Sequence, residues 1–288
     1  MPTGMPRRLL PAAFLAAAIA ILIAAPAAFA DALTPESGGS QNADDIDTLY
    51  KLALYIGLAI FLLVWGTLIW SLVKYRARRG GRAEQIRGNT PLEIGWTVGA
   101  ASILVVLTVV TFLYLKDIES PPASGPEGLR AAQAQFASVD QPNPPKGGGQ
   151  VLRIHVNGQQ YIWRYDYPSG DGQLFSYQEL VVPTDTTVVL DLEASDVIHS
   201  WWIPKFGPKA DAVPGYVNQT WFKVENEGEY RGQCAELCGS GHADMRAKVV
   251  AMSPDDYQSW ATQKRDEIQK AGEELAAQRK QREKDQGN

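Results

Sequence analysis

The sequence predicts a membrane-anchored α+β fold: a two-helix transmembrane hairpin, then a small β-sandwich or barrel, then a charged helical tail. Three observations predict it. Leu52–Val73 and Ile94–Leu115 are each 22 residues without a charge; at about 1.5 Å per helical residue such a run crosses a hydrocarbon core of about 30 Å. From Val151 the pattern changes to short segments of alternating apolar and polar residues, broken by turns that carry Pro or Gly. After Tyr257 the chain is charged and rich in Ala and Gln, with little apolar face.

Taken in order, residues 1–30 read as a signal peptide, because Arg7 and Arg8 precede an Ala-rich apolar core that closes on Ala28-Phe29-Ala30. A retained anchor is the alternative. Residues 31–48 form an exported N-terminal segment and 49–117 the hairpin, with helices at about 50–73 and 94–115. Trp65, Trp70, Trp96 and Tyr114 near the helix ends suit the interfacial belts. The loop 74–90 carries six basic residues against Glu84 alone, so it belongs in the cytoplasm and everything after Leu115 lies outside. Thr90-Pro91-Leu92-Glu93 predicts a capping box at the start of the second helix. Residues 118–150, with six Pro and five Gly, read as a linker. In the β domain, 151–256, Leu152, Ile154 and Val156 alternate with Arg153 and His155, and similar runs recur at Thr187–Leu192, Val217–Val224 and Lys248–Met252. Tyr161, Trp163, Tyr165 and Tyr167 at every second position predict one aromatic strand face. Residues 257–288 are the charged tail.

The scarce residues bound the chemistry. Two Cys, three His and four Met in 288 residues exclude a multi-disulfide scaffold and a zinc array, and no C-x-x-C-H occurs to attach a haem. A pI near 5.3 and a single short basic loop argue against nucleic acid as a partner. Both cysteines, one histidine and one methionine fall within Cys234-Ala-Glu236-Leu-Cys238-Gly-Ser-Gly-His242-Ala-Asp-Met245, and His199 follows a strand upstream. Two thiolates, two imidazoles and a thioether form a soft ligand set that selects copper, with zinc as competitor. A Cys234–Cys238 disulfide and a structural zinc are the blander readings. The joint pattern, one distant His and then Cys, Cys, His and Met on a single loop, favours copper.

Asp196–Trp201, Asp211–Thr220 and Gly232–Met245 resemble subunit II of cytochrome c oxidase, and the likeness runs from the two membrane helices to about Trp260. The resemblance implies a cupredoxin-like Greek-key domain on the extracytoplasmic side of a bacterial plasma membrane. It implies two copper ions in a dinuclear CuA centre, bridged by Cys234 and Cys238, with one copper bound by His199 and the other by His242. Met245 and the backbone carbonyl of Glu236 would be weak ligands, and the Glu236 side chain would hold a magnesium or manganese ion at the interface with subunit I. Implied partners are subunit I, subunit III, membrane lipid and a cytochrome c donor.

The same resemblance implies that Tyr161, or else Trp163, receives the electron from cytochrome c. It also makes Glu93 the acid at the entrance of a proton path; as a sequence feature, Glu93 reads equally well as a helix cap. Asp117–Asp256 holds 19 acidic and 10 basic residues, a net of −9 that suits a basic donor. The implied activity is electron transfer from cytochrome c to the haem and copper of subunit I, for reduction of oxygen to water coupled to proton pumping. A membrane-anchored, exported copper-binding or copper-delivery protein is the alternative.

Overall fold

A computed structural model of the chain describes residues 34–76, 85–125, 151–169 and 174–286. The expected signal peptide, residues 77–84 of the basic loop and 126–150 of the linker lie outside the described residues. Helix α1 spans Gln41–Lys74 and α2 spans Thr90–Glu119. Both run past the apolar segments that predicted them. The polar first turns of α1 are helical because Asn42, Ala43 and Asp47 are buried at its base, where packing supplies what lipid supplies further along.

The start of α2 corrects the predicted cap by one residue. Asn89, in extended conformation, is the N-cap: its Oδ1 accepts the Leu92 N–H at 3.3 Å, and Glu93 Oε1 accepts the Asn89 N–H at 3.1 Å. The exchange is a reciprocal cap that satisfies two otherwise orphaned donors. Beyond these turns the apolar side chains of both helices face outward, Leu72 being 75% and Leu113 69% exposed. With every backbone group bonded inside the helix, that surface suits lipid or a neighbouring apolar chain.

Ten strands follow among the described residues: β1 (Leu152–Gln159), β2 (Ile162–Asp166), β3 (Phe175–Tyr177), β4 (Glu179–Pro183), β5 (Thr186–Ala194), β6 (His199–Trp201), β7 (Ala210–Ala212), β8 (Asn218–Val224), β9 (Gly228–Gln233) and β10 (Arg246–Met252). They form a five-stranded sheet ordered β3-β2-β1-β5-β8, a three-stranded sheet β4-β10-β9 and a short pair β6-β7. β1 runs parallel to β5, and β4 parallel to β10; the other pairs are antiparallel. The alternation in β1 buries Leu152, Ile154 and Val156, which meet Leu190, Leu192, Phe222, Leu180 and Val249 in one core. Cys234, Cys238 and Met245 belong to that same core.

Of the four aromatic residues predicted to share a strand face, three turn inward. Trp163, Tyr165 and Tyr167 are buried, whereas Tyr161 precedes β2 and sits half-buried in the β1–β2 turn. The two buried tyrosines keep polar partners, as such rings generally do: Tyr165 Oη accepts from Trp201 Nε1 at 3.1 Å, and Tyr167 Oη accepts from Val181 N at 2.8 Å. Trp163 Nε1, by contrast, is buried with no partner among the described residues.

β8 is an edge strand, and the hairpin covers its edge. Asn42 Nδ2 donates to the Trp221 carbonyl at 2.9 Å, Ser40 Oγ accepts from Lys223 N at 3.2 Å, and Trp221 Nε1 donates to the Ile118 carbonyl at 2.8 Å. Three hydrogen bonds therefore tie the outer ends of both membrane helices to one strand. At the other side, helix α3 (Pro254–Gln286) starts with Ser253, whose Oγ accepts from Asp256 N, and with proline in its first turn. Tyr257 and Ala261 are buried, and Trp260 lies 5.2 Å from the ring of Tyr167. Beyond them nearly all of the helix is exposed.

Candidate metal centre

The soft donors converge at the end of the barrel where β1 and β5 finish and β6 begins. His199 opens β6 and is fully buried, and its Nδ1 lies 3.8 Å from Cys234 Sγ. Cys238 Sγ lies 3.9 Å from Cys234 Sγ, 3.6 Å from His242 Nδ1 and 3.9 Å from Met245 Sδ. The Glu236 carbonyl oxygen is 3.3 Å from Cys234 Sγ. The ligand atoms of His199, Cys234 and Cys238 all fall within 4.8 Å of one another. The five soft donors read from the sequence, and the Glu236 carbonyl that the resemblance adds, thus meet in one place.

The sulfurs are not joined, their separation being about twice a disulfide bond. Burial, helped by the adjacent Cys234, pushes the Cys238 thiol up to about 11. A metal must displace that proton to bind the sulfur, so the pocket suits a strongly thiophilic ion.

The scaffold orients these donors from both sides. His199 Nε2 lies 2.8 Å from Asp196 Oδ1; a carboxylate accepts there, so Nε2 carries the proton and Nδ1 presents its lone pair to the sulfurs. Partial burial opposes the charge on Asp196, but hydrogen bonds from Gln160 N, His199 and Val197 N outweigh it and hold the carboxyl below its usual range. The Cys234 end of the loop is pinned by main-chain bonds: Gln233 N to Trp202 O, Cys234 N to Met245 O and Ala235 N to Ser200 O. Gly232 packs so tightly there that a Cβ would fall 1.9 Å from the Trp202 carbonyl. His242 lies in a single 3-10 turn, His242–Asp244, that brings its ring back toward Cys238.

The remaining predicted residues fall in three places. Tyr161 rests on the loop, with its hydroxyl 3.3 Å from Ser240 Oγ. Trp163 is inside the core, its ring edge-on to His199 at 5.9 Å. The Glu236 side chain is exposed. Glu93 lies at the opposite end of α2 from Ile118, taken up in the cap. Two residues with no role assigned from sequence stand beside the donors: Asp196, three positions before His199, and Gln160, whose Nε2 donates to the Cys238 carbonyl at 2.6 Å. The Asp-x-x-His spacing was a readable signal for the first. Nothing in the sequence marked the second.

Comparison with known proteins identifies the family. Residues 170–252 match the model for the periplasmic domain of cytochrome c oxidase subunit II, and residues 28–113 match the model for its transmembrane domain. The chain is 34% identical over 260 residues to cytochrome c oxidase subunit 2 of Thermostichus vulcanus, covering 80% of this chain and 78% of that one. It is 32% identical over 232 residues to the subunit 2 of Alkalihalophilus pseudofirmus, of whose length it spans 61%. The crystal structure of the periplasmic domain of subunit II of cytochrome oxidase from Bradyrhizobium japonicum is 32% identical, aligning to 41% of this chain and 95% of its own, with a TM-score of 0.39. The two apolar helices are the membrane anchor of this architecture, and the cupredoxin-like domain beyond them is periplasmic and of the kind that carries a CuA copper site. The chain belongs to the cytochrome c oxidase subunit II family.

Proposed function

We propose that this chain accepts single electrons from reduced cytochrome c at a dinuclear CuA centre and passes them to the haem and copper of subunit I, where oxygen is reduced to water with proton pumping. One observation carries the reading: two thiols, two imidazoles, a thioether and a carbonyl converge, with the thiols 3.9 Å apart and unbonded. Cys234 and Cys238 would bridge two coppers, His199 and His242 would each bind one, and Met245 and the Glu236 carbonyl would be the weak ligands. Two coppers held by shared thiolates would spread a transferred electron, so that little would reorganise on reduction. The residues' own part is to stay still: Asp196 fixes the His199 tautomer, and burial of Cys234, Cys238, His199 and Met245 keeps water from the donors.

Such burial also favours a relay over copper delivery, since a delivery site must expose its ligands to exchange. Val197 and Ile198, which precede His199, and Leu237, which precedes Cys238, are exposed, as are Tyr216 and Val217 after β7, and such apolar surface would suit the oxidase body. The exposed faces of α1 and α2 would pack on subunits I and III and on lipid. Tyr161, half-buried against the copper loop, is the residue through which the electron would arrive, and Trp163 lies behind it. The net −9 of the outer segment would steer a basic cytochrome c, so donor oxidation should slow as ionic strength rises. The exposed Glu236 carboxylate would be free to hold magnesium or manganese against subunit I.

The test is copper stoichiometry and electron-spin resonance of the full-length chain in its purified complex. Two coppers per chain with a mixed-valence signal are expected. One labile copper would support the delivery reading and overturn this one.

A further inference from the structure

The two ends of the copper loop are held by different means. At Cys234 the chain is locked by backbone bonds to β6 and to Met245. From Cys238 to His242 the loop reads Cys-Gly-Ser-Gly-His, with Gly239 at φ +140°, a region that side chains rarely adopt. Two glycines give that segment little shape of its own beyond the bond from His242 N to the Gly239 carbonyl at 3.1 Å, so contacts from outside fix its Cys238 end. Among the described residues, the main chain at Cys238 meets the rest of the domain through Gln160, whose side-chain Nε2 donates to the Cys238 carbonyl at 2.6 Å.

Gln160 has a second attachment. Its backbone N–H donates to Asp196 Oδ2 at 2.8 Å, and the other oxygen of that carboxylate holds His199 Nε2 at 2.8 Å. One turn residue therefore reaches both halves of the donor set: the loop that bears the thiols directly, and the His199 ring through Asp196. The next residue, Tyr161, lies flat against the same loop. A Cβ at Gly239 would fall 2.5 Å from the Tyr161 hydroxyl oxygen, and one at Gly241 2.5 Å from its ring. The two glycines are what let the ring approach.

From this geometry we infer that Gln160 is a positioning residue of the copper centre: its amide sets where Cys238 stands relative to Cys234 and His199, and so couples the β1–β2 turn carrying Tyr161 to the thiolate beneath it. The inference rests on the copper reading above. It concerns the spacing of the ligands, not the grip on the donor protein.

The test uses full-length chain in the assembled oxidase, with Gln160→Met, which keeps the length and removes the donor, and Gln160→Glu, which places an acceptor against the Cys238 carbonyl. Gln160 is exposed in a turn, so neither change disturbs the core. In both variants the copper near-infrared band and hyperfine pattern should shift, and a chelator should strip copper about fivefold to tenfold faster, as expected for loss of one well-placed hydrogen bond. Turnover at saturating cytochrome c should fall, with KM for the donor changed less than about twofold, because docking is untouched. Wild-type spectrum and copper retention in both variants would overturn the inference while leaving the copper reading intact. A raised KM with an unchanged spectrum would also overturn it, making Gln160 a docking residue. Absence of a dinuclear signal in the unaltered chain would overturn both.

Discussion

The membrane hairpin and the β domain are built from similar apolar residues and treat them in opposite ways. Along α1 and α2 the side chains of Leu62, Leu63, Leu104 and Phe112 point outward, because each helix satisfies its own backbone and lipid accepts the rest. In the β domain Leu152, Ile154, Trp163, Leu190 and Phe222 are buried together, and at one end of that core stand the sulfur donors. A metal site needs fixed donors shielded from water, and only the second arrangement supplies them. The hairpin's part is to hold that rigid body at the membrane surface through three hydrogen bonds to β8.

The largest effect expected from this difference is a matched pair of truncations. Phe222→Ala removes a ring stacked 4.5 Å from Phe206 and 5.9 Å from Trp201, and should destabilise the domain by about 3–5 kcal/mol in thermal or denaturant unfolding. Phe112→Ala, on the outward face of α2, should leave the same transition within about 0.5 kcal/mol. Equal losses at the two positions would end the comparison.

A smaller change separates electron arrival from core packing. Tyr161→Ala should slow oxidation of cytochrome c while copper content and spectrum stay close to wild type, since the donors keep their own scaffold. Unchanged transfer with intact copper would remove Tyr161 from the path.

At the junction, Trp221→Phe keeps an aromatic body and removes the Nε1–H bond to the Ile118 carbonyl. About 1 kcal/mol of the attachment should be lost, seen as faster amide exchange in β8 with no change at β1. Exchange rising equally across the sheet would mean that the hairpin supports the domain's stability and not only its placement.

The smallest effect is expected at the far end of α2. Glu93→Gln removes the charge but keeps an oxygen for the Asn89 N–H, so helix and assembly should be preserved. If Glu93 serves only the cap, turnover should stay within about twofold of wild type; a clear slowing of turnover with normal copper would mark a proton entrance instead.

Much of this was legible in the order of residues. The spanning helices follow from uninterrupted apolar runs, and the inward face of β1 from alternation. The donor set follows from chemistry that few residue types can perform, placed at short spacings on one loop. Elsewhere local pattern was a poor guide. The aromatic repeat placed Tyr161 on the same face as Trp163, Tyr165 and Tyr167, yet the chain turns before β2 begins and leaves Tyr161 at the copper loop. Thr90 looked like the cap, and Asn89 takes the role because its side chain reaches Leu92 N.

By itself, then, the sequence determined the elements and the ligand types, because period and composition act over a few neighbouring residues. Tertiary structure alone decided how the ligands are held. Gln160 meets Asp196 across 36 residues and Cys238 across 78, and Asn42 meets Trp221 across 179. No local preference encodes such bonds. They exist because folding the sheet brings a turn, a loop and a helix end within hydrogen-bonding distance of one another.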